Sequence, residues 1–200
     1  MGRRKRRGGP RDGQEIQGGF IMDEYKRLSR ELIHKGAVID YYQDLMQIPN
    51  GSTEKWDLVD HKGAAAVVAV RDDGKLLMVR QYRNALERYT LEIPAGGLNT
   101  REEPMEIAAA RELREETGYI ADKLEKLTVI YTTVAFCNEK IGIYLARDLK
   151  VHGEQDLDDD EFLNVEAHDL AELKQMIYEG KIQDSKTICG IMIYASKYGL

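Results

Sequence analysis

Residues 97 to 119 constrain this chain more than any other stretch. They read Gly-Leu-Asn-Thr-Arg-Glu-Glu-Pro-Met-Glu-Ile-Ala-Ala-Ala-Arg-Glu-Leu-Arg-Glu-Glu-Thr-Gly-Tyr. A loop rich in Gly and Asn opens the stretch. Pro104 suits the first turn of a helix, where its missing N–H costs nothing. Residues 105 to 117 are strong helix formers, with three consecutive alanines and alternating Glu and Arg. Gly118 suits the C′ position that ends such a helix.

The acidic side chains on this helix have a telling spacing. At about 100° per residue, Glu112 and Glu116 lie roughly 40° apart, one turn above each other. Glu115 lies roughly 60° from Glu112 on the other side, so three carboxylates share one ridge. Like charges at that spacing repel, and a helix built only for stability avoids them. A hard divalent cation such as Mg²⁺ removes the penalty, because it takes carboxylate oxygens and keeps water or phosphate in its other positions. Arg111, one turn before Glu115, can orient it. The bland reading of a Glu-rich helix is a solvated face of ion pairs; here the residues around it decide the matter.

The whole chain sets the frame. Two hundred residues suit one domain, or one domain with an added arm. Hydrophobic residues at 42% with charged residues at 32% are ordinary for a globular protein. The longest clean apolar run, Ala64 to Val70, is far too short to span a bilayer, and no hydrophobic signal segment follows the basic start. Cys137 and Cys189 stand far apart without metal-ligand spacing, which points to a reduced, cytoplasmic compartment. Residues 1 to 19 carry six cations against two acids, a local charge of +4 on a chain of −6, so the remainder is −10. That acidic body argues against nucleic acid as a partner. Residues 1 to 21 read as a disordered basic leader, or an artefact of the start site or expression vector, with Met22 as a second start.

The remaining elements follow in order. Residues 22 to 61 read as an N-terminal arm of extended segments, Leu32 to Lys35, Ala37 to Ile48 and Lys55 to His61. Trp56, the single tryptophan, suits either a core or interface position or a stacking plate for a planar base. Gly63 to Val70 predicts a buried strand, Asp72-Asp73-Gly74 a hairpin turn, and Lys75 to Arg83 a second strand. Its Arg80 and Arg83 are either surface charges or phosphate clamps. Leu91 to Gly96 predicts a short strand whose Pro and glycines bring backbone close to the helix, so that a carbonyl of Ala95 or Gly96 can serve as an oxygen ligand. Lys126 to Thr132 and Lys140 to Ala146 predict further strands, with Glu139 the carboxylate of the loop between them. Glu154 to Glu161 reads as an acidic, solvated loop, Phe162 to Glu166 as a last strand. Helices follow at Leu170 to Glu179 and after an Asp184 cap, through Tyr198. The four histidines are scattered without zinc spacing.

The central stretch resembles the Nudix box, G-x5-E-x7-R-E-U-x-E-E-x-G-U with U apolar. Gly97, Glu103, Arg111, Glu112, Leu113, Glu115, Glu116 and Gly118 fill the fixed places, and Tyr119 is a mild departure at the last. Val79-Arg80-Gln81-Tyr82-Arg83, Leu91 to Gly96 and the tail Asp184-Ser185-Lys186-Thr187 resemble the ADP-ribose pyrophosphatase branch of the Nudix hydrolases, over a span from about Tyr25 to the C-terminus. The resemblance implies an α/β/α sandwich with a mixed sheet over residues 62 to 200, plus a β-rich arm at 22 to 61 serving dimerisation and substrate. It implies a homodimer with crossing arms, a small-molecule nucleoside diphosphate substrate, and Mg²⁺, with Mn²⁺ as the alternative metal. The implied reaction is hydrolysis of the diphosphate bond, for ADP-ribose giving AMP and ribose 5-phosphate. By position, Glu112 and Glu116 resemble metal ligands, joined by Glu115 and a carbonyl at Gly96 or Ala95. Glu139 resembles the general base, and Arg111 and Glu115 complete the catalytic set. Trp56, Asp57, Arg83 and Glu92 resemble substrate contacts. In one place the chain departs: relatives read Ser-Pro-Gly-Phe where it has Thr133-Val134-Ala135-Phe136, in the loop that positions Glu139. A nucleotide-sugar hydrolase of the GDP-mannose type is one alternative. A nucleotide-binding regulator without catalysis is another, and retention of Glu103, Glu112, Glu115 and Glu116 counts against it.

Overall fold

The computed structural model describes residues 25–157 and 163–200. The expected leader at 1–21, the end of the acidic segment and Phe162 lie outside the described residues. Strands β1 (Lys26–Lys35), β2 (Ile39–Gln47) and β3 (Thr53–His61) form an antiparallel sheet of their own. There follow β4 (Ala64–Val70), β5 (Leu76–Arg83), a 3₁₀ turn at Asn84–Leu86, β6 (Arg88–Glu92), β7 (Ala95–Gly97) and α1 (Met105–Thr117). The chain continues through β8 (Tyr119–Ile120), β9 (Leu124–Tyr131), β10 (Lys140–Ala146), β11 (Lys150–Val151), β12 (Leu163–His168), α2 (Leu170–Tyr178) and α3 (Ser185–Tyr198).

The main sheet runs β12-β5-β4-β10-β9, with β6 on β5 and β7 on β4. It is mixed: β10 runs parallel to β4, while the other pairs are antiparallel. All seven side chains of β4 are buried, because both faces of the strand are covered. Ala64, Ala66, Val68 and Val70 meet Ile191 and Tyr194 of α3 and Leu173 of α2. Ala65, Val67 and Ala69 meet Ala108, Ala109 and Leu113 of α1. A strand covered on both faces needs a continuous apolar run rather than alternation, which is what Ala64 to Val70 supplies. Burying one side chain such as Leu113 contributes about 1.5–3 kcal/mol. The result is the expected α/β/α sandwich.

Two local expectations need correction. Pro104 stands at the N-cap with φ −62° and ψ 129°, one place ahead of the first turn. The strand expected over Leu91 to Gly96 is broken into β6 and β7 at Ile93 and Pro94. Pro94 has no N–H for a ladder, and its carbonyl accepts instead from Val67 N at 2.8 Å. This break matters for the site. Strands β4 and β5 pair only at Ala69–Leu77 and Val70–Leu76 and then diverge. The Ile93–Pro94 corner carries the chain from its pairing with β5 to its pairing with β4, and lays β7 across the carboxylate face of α1.

Candidate active site

Helix α1 brings two of its acids inside. Glu112 and Glu116 are 7% and 1% exposed, and both meet β7. Glu116 accepts a hydrogen bond from Ala95 N at 2.9 Å. The Glu112 carboxylate lies so close to Gly96 that any Cβ there would overlap it. Arg111 spans the cluster. It donates to Glu112 at 2.6 Å, to Glu115 at 3.1 Å and to the Gly97 carbonyl at 2.8 Å, and its Nε stands 3.6 Å from Glu103. Burial works to lower the pKa of this guanidinium, but the neighbouring carboxylates, Glu112 first, outweigh it and raise it. Glu115 is engaged by Arg111 and, at 2.9 Å, by Arg114. The predicted ridge is therefore divided: Glu112 and Glu116 face the β7 backbone, while Glu115 anchors two arginines.

Strand β7 in turn borders a cleft walled by β5, β6 and α3. Arg83, at the end of β5, grips Glu92 with two hydrogen bonds of 2.8 and 2.6 Å. Glu92 also accepts from Thr90 at 2.6 Å and from Lys186 of α3. Burial alone would push the Glu92 carboxyl up; the Arg83 bonds and the Lys186 charge overcome it and hold the pKa at about 2. Asp184 caps α3 through Thr187 N at 3.0 Å and holds Lys186 at 3.0 Å. Glu139, just before β10, completes the cleft. Its carboxylate accepts from Thr132 Oγ1 at 2.8 Å and lies 3.3 Å from His61 Nδ1. The cleft measures about 680 Å³, and Arg83, Glu92, Ala95, Gly96, Glu139 and Lys186 are among the residues that line it.

Trp56 and Asp57 are placed elsewhere within the chain. They line a separate pocket of about 820 Å³ against Tyr131, Phe136 and the loop before Glu139. Trp56 is 45% exposed and sits 5.9 Å from Tyr25, ring to ring, while Asp57 accepts from the Tyr41 hydroxyl at 2.7 Å. Sequence reasoning missed His61, Lys186 and Asn138. Lys186 left a usable signal: a lysine in the first turn of a helix opposes the helix dipole, so its presence implies anionic partners nearby. His61 and Asn138 left none, since their partners are distant in sequence.

The donors suit a divalent cation. Carboxylates and backbone carbonyls are hard oxygen ligands, and Gly96 leaves no Cβ between its backbone and Glu112. Among the described residues, side chains alone form no group of three or more His, Cys, Asp or Glu able to hold a metal. A metal bound here would have Glu112, Glu116 and a backbone carbonyl at Gly96 or Ala95 as its nearest hard donors.

Comparison with known proteins places the chain in a family. The model of the NUDIX domain family matches residues 60–189. An ADP-ribose pyrophosphatase of Bacillus subtilis is 43% identical over 178 residues, covering 88% of this chain and 96% of that protein. A methanol dehydrogenase activator of Bacillus methanolicus is 41% identical, covering 84% of this chain and 91% of that protein. A crystal structure of an ADP compounds hydrolase superposes with a TM-score of 0.76 at 21% identity, covering 88% of this chain and 96% of that one, a likeness of fold.

Proposed function

Because this chain belongs to the NUDIX domain family of hydrolases, we propose that it cleaves the diphosphate bond of ADP-ribose, giving AMP and ribose 5-phosphate. One observation carries the reading: the cleft lined by Arg83, Glu92 and Glu139 takes in β7, whose Ala95 and side-chain-free Gly96 meet the buried Glu116 and Glu112 of α1. A diphosphate is densely anionic and a poor electrophile. A bound divalent cation, Mg²⁺ or Mn²⁺, supplies Lewis acidity to the phosphoryl oxygens and to water. Glu112, Glu116 and the carbonyl of Gly96 or Ala95 hold it, and Glu115 keeps Arg111 in place beside them. Arg83 offers a planar fork of donors suited to phosphate. Glu139 accepts the proton of the attacking water.

The arm supports a homodimer. Leu28, Leu32, Ile33 and Ile39 of the paired strands β1 and β2 are exposed on the isolated chain, and large apolar side chains left in water are favourably buried against a partner. In this reading the arm carries Trp56 and Asp57 to the nucleobase. The likeness to a Bacillus subtilis ADP-ribose pyrophosphatase favours ADP-ribose over a nucleotide sugar. The test is a hydrolysis panel at fixed Mg²⁺ with ADP-ribose, ADP-glucose, GDP-mannose and NADH, products separated by chromatography. Fast release of AMP from ADP-ribose is expected; preference for GDP-mannose, or no turnover at all, would overturn the assignment.

A further inference from the structure

We propose that Asn138 is a positioning residue for Glu139, clamping the loop that carries this carboxylate onto strand β3 of the same chain. The inference rests on the reading of Glu139 as proton acceptor. The loop between β9 and β10 has neither Pro nor Gly to set its path. Its shape comes instead from the arm. Val59 N donates to the Phe136 carbonyl at 2.7 Å, and Asn138 N donates to the Val59 carbonyl at 3.3 Å. The Asn138 side chain then uses both ends of its amide. Its Oδ1 accepts from His61 N at 2.9 Å, and its Nδ2 donates to Asp60.

Asp60 extends the junction. Its other oxygen receives Arg101, which also donates to the His61 carbonyl at 3.1 Å. Arg101 belongs to the loop that enters α1. Asn138 therefore stands where three segments meet: the arm, the loop bearing Glu139 and the loop leading to the carboxylate helix. The last residue of β3 meets the loop through its backbone N–H, which donates to Asn138, while its Nδ1, which accepts from Gly63 N at 3.0 Å, stands 3.3 Å from Glu139. Glu139 follows Asn138 directly, so release of the amide leaves the carboxylate to be placed by Thr132 Oγ1 and by the backbone bonds to Val59 alone.

The chemistry of the pair suggests a sharp test. Asn138→Asp sets a second carboxylate against Asp60 and loses the donor between them. Combining it with Asp60→Asn restores every bond with the roles exchanged. The amide introduced at position 60 donates to the carboxylate introduced at position 138 and accepts from Arg101, while that carboxylate still accepts from His61 N. Each variant is read on the full chain in two ways, by kcat and KM for ADP-ribose and by the labelling rates of Cys137 and Cys189 without substrate. Cys137 lies in the clamped loop, whereas Cys189 packs against the core. A misplacement of about 1 Å at a reacting group costs on the order of 100-fold. The expected result for Asn138→Asp is a loss of about 10- to 100-fold in kcat with KM within about twofold, and faster labelling of Cys137 alone. The double variant returns both readouts toward wild type. Wild-type kcat in Asn138→Asp, unchanged Cys137 labelling, or a double variant as impaired as the single one overturns the proposal. If Asn138→Asp does not fold, Asn138→Ala, which removes both the donor to Asp60 and the acceptor for His61 N, takes its place: wild-type kcat or unchanged Cys137 labelling in that variant overturns the proposal. Full activity in Glu139→Gln would remove the base and the positioning role together. A wild-type chain inert toward ADP-ribose would instead sink the substrate assignment, and the labelling would still decide whether the clamp exists.

Discussion

A Cβ on Gly96 would overlap the carboxylate of Glu112, whereas one on Gly97 would meet nothing within 4 Å. Neither glycine has a positive φ, so the backbone tolerates alanine at both and only the side chain discriminates. Gly96→Ala is expected to displace Glu112 and lower kcat by about 100-fold or more, with weakened Mn²⁺ binding by calorimetry. Gly97→Ala should leave both within about twofold. Equal behaviour of the two variants would contradict the placement of Glu112 against β7. The contrast was half legible in the sequence. Adjacent glycines after Pro94 announce close backbone approach, but which of them faces the helix depends on the pairing of Ala65 with Gly96 across the sheet. No local pattern encodes that register.

At the scale of elements, the span of helix α1 was readable, all but the N-cap place of Pro104, because propensity, spacing and a C′ glycine with φ 72° all act within one short segment. The link between α3 and β6 was not. Lys186 and Glu92 stand 94 residues apart and meet only through the sandwich. This link has a pH signature. The Glu92 carboxyl sits at about 2, well below its usual 4.5. A depressed carboxyl stabilises the fold fully above its unfolded pKa and loses that contribution as pH falls through its folded one. The stabilisation is roughly 3 kcal/mol, present at neutral pH and lost between about 4.5 and about 2. Urea midpoints measured against pH should show wild type and Glu92→Gln converging across that window. Parallel curves would mean that Glu92 carries no such charge network.

Over the whole molecule, the sandwich was legible and the cleft only partly so. The buried run of β4, the hairpin at Asp72-Asp73-Gly74 and the amphipathic helices announce two helical layers on a mixed sheet. The cleft is assembled from β5, β6, β7, the loop before β10 and the first turn of α3, with α1 meeting it through β7, and such convergence has no signature in spacing. Glu112 and Glu116 were legible in helical spacing and Arg83 as one of two candidate clamps, Glu139 took its role from the family resemblance, and His61 and Asn138 emerged only with the structure. Trp56 and Asp57 lie in a different pocket of the same chain, so only in the proposed dimer would they reach a substrate held in the other copy's cleft.

The central claim is that the buried face of α1 is a catalytic metal site rather than a structural ion-pair network. Glu116→Gln tests it most directly, because its amide oxygen can still accept from Ala95 N while the charge is gone. A catalytic metal site predicts a fall in kcat of about 100- to 1,000-fold, with the circular dichroism spectrum and melting temperature preserved. Wild-type turnover in that variant would contradict it.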